Sequence, residues 1–182
     1  MRGLFAILLV GMLVLPASAS EGGVNKAASL DGTGIKSLIY EDVLRASSGS
    51  NFEISLEIED GANISEVSWV TQVCVNSGVC YPPEERQMDR SDDGLSFGYA
   101  LETRPGYSYI NWKFILKTDN GSESLLPEVG FGWKVWSDCW FDNGTWGGSE
   151  TSCEDDDDMM PGFTISLAMV SVGMAALMLG RD

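Results

Sequence analysis

The stretch from Phe52 to Glu59, "FEISLEIE", constrains the fold more than any other part of this 182-residue chain. Phe52, Ile54, Leu56 and Ile58 alternate with Glu53, Ser55, Glu57 and Glu59. Successive side chains of a strand point to opposite faces, so the run makes one apolar face and one acidic, wet face. The same alternation recurs downstream. Val67, Trp69, Thr71 and Val73 share a face, as do Leu95, Phe97, Tyr99 and Leu101. Ile110, Trp112, Phe114 and Leu116 form a third such row, and Val129, Phe131, Trp133 and Val135 a fourth. Turn-forming clusters separate the rows: Ala46–Asn51, Asp60–Asn63, Arg104–Gly106 and Thr118–Gly121. Ile35–Leu44 is expected as a first edge strand. No helical period is sustained between residues 35 and 140. Short strands at this spacing predict an all-β sandwich or barrel.

Three segments, "FEISLEIEDGANISEVSW", "DDGLSFGYALE" and "YSYINWKFILKTDNG", together resemble an immunoglobulin-like or fibronectin-type-III-like β-sandwich module. Neither Phe52–Ile58 nor Ile110–Leu116 contains a cysteine, so no antibody-type bridge joins the sheets and apolar burial must hold them together. Trp69 and Trp112 are expected in that core.

The ends of the chain read as addresses. Met1–Ser20 has a basic Arg2, an apolar run from Leu4 to Leu15, and a small-residue site at Ala17-Ser18-Ala19. That is the form of a secretory signal peptide, expected over residues 1–19. At the other end, Phe163–Gly180 carries no charge and has just the length of a bilayer core. Arg181 after it fits a cytoplasmic end. Pro161-Gly162-Phe163 ahead of an apolar helix and a basic residue resembles the PGF-CTERM sorting tail of archaeal surface proteins. The resemblance implies recognition by an archaeosortase and replacement of the tail by a lipid; a plain C-terminal transmembrane helix is the alternative. Either way the expected location is the cell surface, with the membrane as partner. The expected organisation is a signal peptide at 1–19, a flexible leader at 20–34, the sandwich at 35–140, a Gly-rich and acidic stalk at 141–160 and the sorting tail at 161–182.

Composition narrows the chemistry. The chain has 27 acidic and 11 basic residues and a formal charge of −16, which argues against nucleic-acid binding and suits a well-solvated surface. It has no histidine, which excludes a Ser-His-Asp or Cys-His arrangement and the common histidine-containing zinc site. No cofactor or metal is expected. Glu84, Glu85, Asp92 and Asp93 are the nearest approach to paired catalytic carboxylates, and they fall in turn-like sequence. Asn63, Asn120 and Asn143 each begin an Asn-X-Ser/Thr triplet and are candidate glycosylation sites.

Four cysteines in an exported chain point to two disulfides. Three connectivities are open; the simplest joins Cys74 to Cys80 and Cys139 to Cys153. The run Gln72, Cys74, Gly78, Cys80, Tyr81, Pro82, Pro83, Glu84 also resembles the active-site segment of the N-terminal domain of the DsbD thiol:disulfide interchange family. That resemblance implies an immunoglobulin-like domain in which Cys74 and Cys80 exchange electrons with exported partners, supplied by a separate reductant protein. Two functions therefore stand side by side. One is a surface-anchored sandwich for binding, adhesion or envelope structure, whose partner is a surface glycan or protein. The other is an extracytoplasmic thiol–disulfide exchange module. For the first, Trp136, Trp140 and Trp146 are candidate binding residues, because they fall in an irregular Gly-rich segment; a satellite core is the alternative reading.

Overall fold

A computed structural model describes residues 22–76, 79–142 and 144–150. The expected signal peptide, the sorting tail with Pro161, Gly162 and Phe163, and Asn143 and Cys153 lie outside the described residues. Two antiparallel sheets are built from β1 (Ile35–Tyr40), β2 (Asn51–Ile58), β3 (Ile64–Asn76), β4 (Val79–Cys80), β5 (Glu84–Gln87), β6 (Asp89–Arg90), β7 (Ser96–Glu102), β8 (Tyr109–Thr118), β9 (Glu123–Leu126) and β10 (Trp133–Trp136). A small hairpin follows, β11 (Trp140–Asp142) and β12 (Thr145–Gly147). The smaller sheet runs β1-β2-β7-β6. The larger runs β10-β8-β3-β4, with β5 also pairing β3 and β9 also pairing β8. The all-β sandwich read from the alternation is what the chain forms.

The alternation becomes burial. In β2, Phe52, Ile54, Leu56 and Ile58 are buried, while Asn51, Glu53 and Ser55 face solvent. In β3 and β8, Val67, Trp69, Ile110, Trp112 and Phe114 have no accessible surface. Register carries the pattern across the sheet: Trp69 pairs with Phe114, Thr71 with Trp112 and Val73 with Ile110. Paired residues share a face, so one apolar row continues across both strands. Trp112 lies at the centre of the aromatic packing. Its ring centroid is 5.1 Å from Tyr40, 5.7 Å from Phe52 and 6.3 Å from both Trp69 and Trp133. Trp69 and Trp112 are core residues, as expected. The Cys74–Cys80 bridge joins neighbouring strands of one sheet, so the contact between sheets rests on these side chains.

Three segments differ from the sequence reading. Residues 22–34, expected as a flexible leader, are tied to the sandwich. Lys26 exchanges backbone hydrogen bonds with Lys134, and Ala28 and Leu30 pack against the core. The 79–90 region, where no strand is expected and Glu84 and Glu85 read as turn-like, forms the short strands β4, β5 and β6. The expected stalk from residue 141 begins instead inside the β11–β12 hairpin. In each case the ordering comes from tertiary contacts that a short, glycine-rich or charged run does not announce.

Candidate functional site

From Glu66 onward, past a register shift that leaves Ile64 in the core, even-numbered residues of β3 and odd-numbered residues of β8 face away from the core. At one end of the larger sheet these outward positions form a second cluster. Cys74 pairs with both Tyr109 and Cys80, and Trp136 of β10 also pairs with Tyr109. Cys74, Tyr109 and Trp136 are buried together, with Trp140 packed against them. The Tyr109 and Trp136 rings are 4.6 Å apart, and Trp136 and Trp140 are 5.1 Å apart. The former leader seals the cluster: Trp136 Nε1 donates to the Val24 carbonyl at 2.9 Å, and the Trp136 amide donates to Asn25 Oδ1 at 2.9 Å. Trp140 lies against a glycine-lined slot. A Cβ at Gly22 or Gly23 would stand 2.5 or 2.8 Å from its ring, and one at Gly147 would overlap it. Only a residue without a side chain leaves room for this close approach.

The three tryptophans singled out from the sequence therefore have different surroundings. Trp136 is 3% exposed and its indole is committed to packing. Trp140 is half-buried beside it, and Trp146 is half-buried against Phe141 with ring centroids 5.0 Å apart. The structure brings Trp136 and Trp140 together as a satellite core.

Cys74 and Cys80 are bonded, with Cα atoms 3.9 Å apart. Cys74 has no accessible surface, whereas Cys80 is exposed. Tyr109 Oη lies 3.6 Å from Cys80 Sγ, and Asn111 Nδ2 lies 3.9 Å from Cys74 Sγ. Cys139 is also disulfide-bonded; its expected partner is outside the described residues. No lysine lies near Cys74 or Cys80 along the chain, and Arg86 is the nearest cation in sequence. The fold places Lys134 of β10 over the aromatic pair that packs with Cys74: its Nζ sits 4.3 Å from the Tyr109 ring centroid and 4.9 Å from that of Trp136. Such cation–π contacts fix the ammonium over the rings. Burial pushes the Lys134 pKa down, opposed by nearby Asp142 and assisted by Lys26. Burial, and then the Asp142 charge, raise the Tyr109 pKa. Lys134 was missed because β10 is remote from the cysteines in sequence; its alternation with Val135 was the available sign that it faces outward.

Of the candidate glycosylation sites, Asn63 and Asn120 are exposed. Asn120 Oδ1 accepts hydrogen bonds from Thr118 Oγ1 and from the Ser122 amide, so its carbonyl end is fixed in the β8–β9 turn. Of the four carboxylates expected in turns, Glu84 and Glu85 lie in β5, and Asp93 accepts from Ser91 Oγ at 2.6 Å and from the Leu95 amide at 3.0 Å. Those two bonds hold its pKa below the usual carboxylate value. Asp93 shapes a loop, and Glu84 is paired with Arg86. No group of three or more metal-ligating side chains occurs among the described residues. No helix among them is long and apolar enough to cross a membrane.

Neither a scan against protein-family models nor a search of curated proteins returns a match for this chain.

Proposed function

We propose that this chain is an exported β-sandwich, held at the cell surface through its C-terminal segment, that binds a ligand or adheres outside the membrane. The observation that carries the reading is the oxidised state of its cysteines: Cys74 and Cys80 are bonded, and no cysteine among the described residues is free. Disulfides belong to oxidising compartments, and the N-terminus has the form of a secretory signal. The sequence of residues 161–182 supplies the tether, with a lipid after archaeosortase processing as the finer version. Intact-mass analysis and cell fractionation test the reading together. The expected outcome is a membrane-associated protein lacking residues 1–19, with no peptide containing Arg181 if a lipid replaces the tail. A soluble protein with an unprocessed N-terminus refutes it.

A second reading, thiol–disulfide exchange, draws on a specific asymmetry. Cys80 is exposed and Cys74 is buried, so a thiolate from a partner would reach Cys80 and displace Cys74. The amide of Asn111 faces the sulfur that would leave. Redox titration separates the two readings, because structural disulfides lie below about −300 mV and labile ones above it.

A further inference from the structure

The inner face of β3 outruns the sheet opposite. Val67 and Trp69 are covered completely, and Thr71 is 2% exposed, but Val73 and Val75 on the same face are only half-buried. Beyond them the sandwich opens into a cleft of about 310 Å³. Its floor is Thr71, Val73, Val75 and Leu101; its rim is Tyr81, Pro82, Glu84, Arg86, Arg104, Pro105 and Tyr107. Two segments from distant parts of the chain form that rim, and both are anchored. Tyr81 follows directly on disulfide-bonded Cys80, and its amide donates to the Val73 carbonyl at 2.9 Å. The 104–107 loop is held at both ends by buried side chains. Thr103 Oγ1 donates to the Arg45 carbonyl at 2.6 Å, and Ser108 Oγ donates to the Val75 carbonyl at 2.8 Å. The Ser108 amide also donates to the Cys74 carbonyl.

The two arginines lining the cleft have different roles. Arg86 is committed, donating to Thr71 Oγ1 and pairing with Glu84. Arg104 is exposed and makes no ion pair among the described residues, although the chain carries a charge of −16. A guanidinium is a planar fork that suits a carboxylate bidentately. Beside it, Tyr81 is 53% exposed and offers a ring face and a hydroxyl. An aromatic face takes the C–H face of a sugar, and the hydroxyls of the sugar find partners at the rim. The volume is at the low end for small-molecule sites, enough for one or two sugar rings. A peptide would need a sheet edge or a long groove instead.

The geometry points to this cleft as a binding site for a carboxylated sugar, a hexuronate unit of a surface glycan, with Arg104 holding the carboxylate and Tyr81 stacking on the ring. The inference rests on the surface-binding reading and names its ligand class. It also gives the Cys74–Cys80 bridge a task, since the bridge fixes the start of the segment that carries Tyr81.

The test uses the full chain in detergent, with digalacturonate as probe and titration calorimetry as readout. Digalacturonate is expected to bind, and the neutral disaccharide at least about tenfold more weakly, as loss of a charge-assisted hydrogen bond predicts. Arg104→Gln and Tyr81→Ala should each weaken binding by about tenfold or more while leaving the melting temperature unchanged. Arg104→Lys, which keeps the charge and loses the fork, should also bind more weakly. No binding, equal binding of the neutral disaccharide, tighter binding of triglutamate, or an unaffected Arg104→Gln overturns the assignment. Fractionation of the same cells is read separately. A membrane-held protein that ignores digalacturonate overturns the sugar site alone, and a soluble, unprocessed one overturns the surface reading.

Discussion

Replacing Cys74 and Cys80 together by serine should destabilise the sandwich by about 2 kcal/mol, the chain-entropy cost of releasing so short a closed loop. The bridge spans a sequence separation of 6 and joins directly paired residues of β3 and β4. Its main effect is therefore to restrict the unfolded chain and to hold the two-residue strand β4 in register. The core is untouched, because Cys74 faces the satellite cluster with Tyr109 and Trp136. For a domain of this size, 2 kcal/mol corresponds to a fall in melting temperature of roughly 6–10 °C. Calorimetry and denaturant titration of wild type and double variant measure it, alongside a thiol-exchange assay with a thioredoxin-like donor. The expected result is lower stability with no exchange activity to lose. An unchanged melting temperature would falsify the staple argument. So would ready reduction of the wild type with onward transfer of electrons to a second protein.

Trp112→Ala should cost about 3–5 kcal/mol, as removal of a fully buried aromatic does, a large share of the stability of an ordinary domain; a denaturant midpoint close to wild type would contradict its central position. Asp93→Asn should flatten the acid limb of the stability curve. The folded Asp93 pKa lies below its ordinary 3.8, so its contribution is present above that value and lost as pH falls through the folded pKa; an unchanged acid limb would show that the Ser91 and Leu95 bonds do not matter to stability. Lys134→Met should remove a rise in stability with pH. The folded Lys134 pKa lies below its ordinary 10.5, so between the two values the unfolded chain binds more protons and stability climbs. Tyr40 and Tyr109, both raised above 10.0, act in the opposite direction and remain in the variant, so the alkaline limb of Lys134→Met should fall more steeply than that of wild type.

The sandwich was legible wherever one face of a strand is dry and the other wet. β2, and β8 from Ile110 onward, show this in full, and there burial follows the alternation residue by residue. β9, "ESLL", was not legible, because four residues with no alternation are held by pairing with β8 and by Leu126 against the core. The hairpin of β11 and β12 was hidden for another reason: its glycines and short strands read as linker, and its order comes from Trp140 and Phe141. Of the site, the pairing of Cys74 with Cys80 was visible from spacing and composition. The association of Tyr109 and Asn111 with that bridge depends on strand register between residues 29 and 37 positions apart, and the lining of one cleft by Tyr81 and Arg104 likewise depends on tertiary folding. No local pattern encodes such a meeting.

The glycine-lined slot around Trp140 has a dynamic consequence. One ring fills space bounded by Gly22 and Gly23 at the start of the described chain and by Gly147 near its end. Neither strip of backbone can close over the vacancy if the ring leaves, and the ring has no equivalent surface to return to if either strip peels away. Segments remote in sequence thus become one cooperative opening unit. Amide hydrogens of Lys26 and Trp136, bonded across this seam, should exchange at a common rate set by departure of the indole. That rate should be faster than exchange in β3 and β8, whose ladder can be broken only by opening the core.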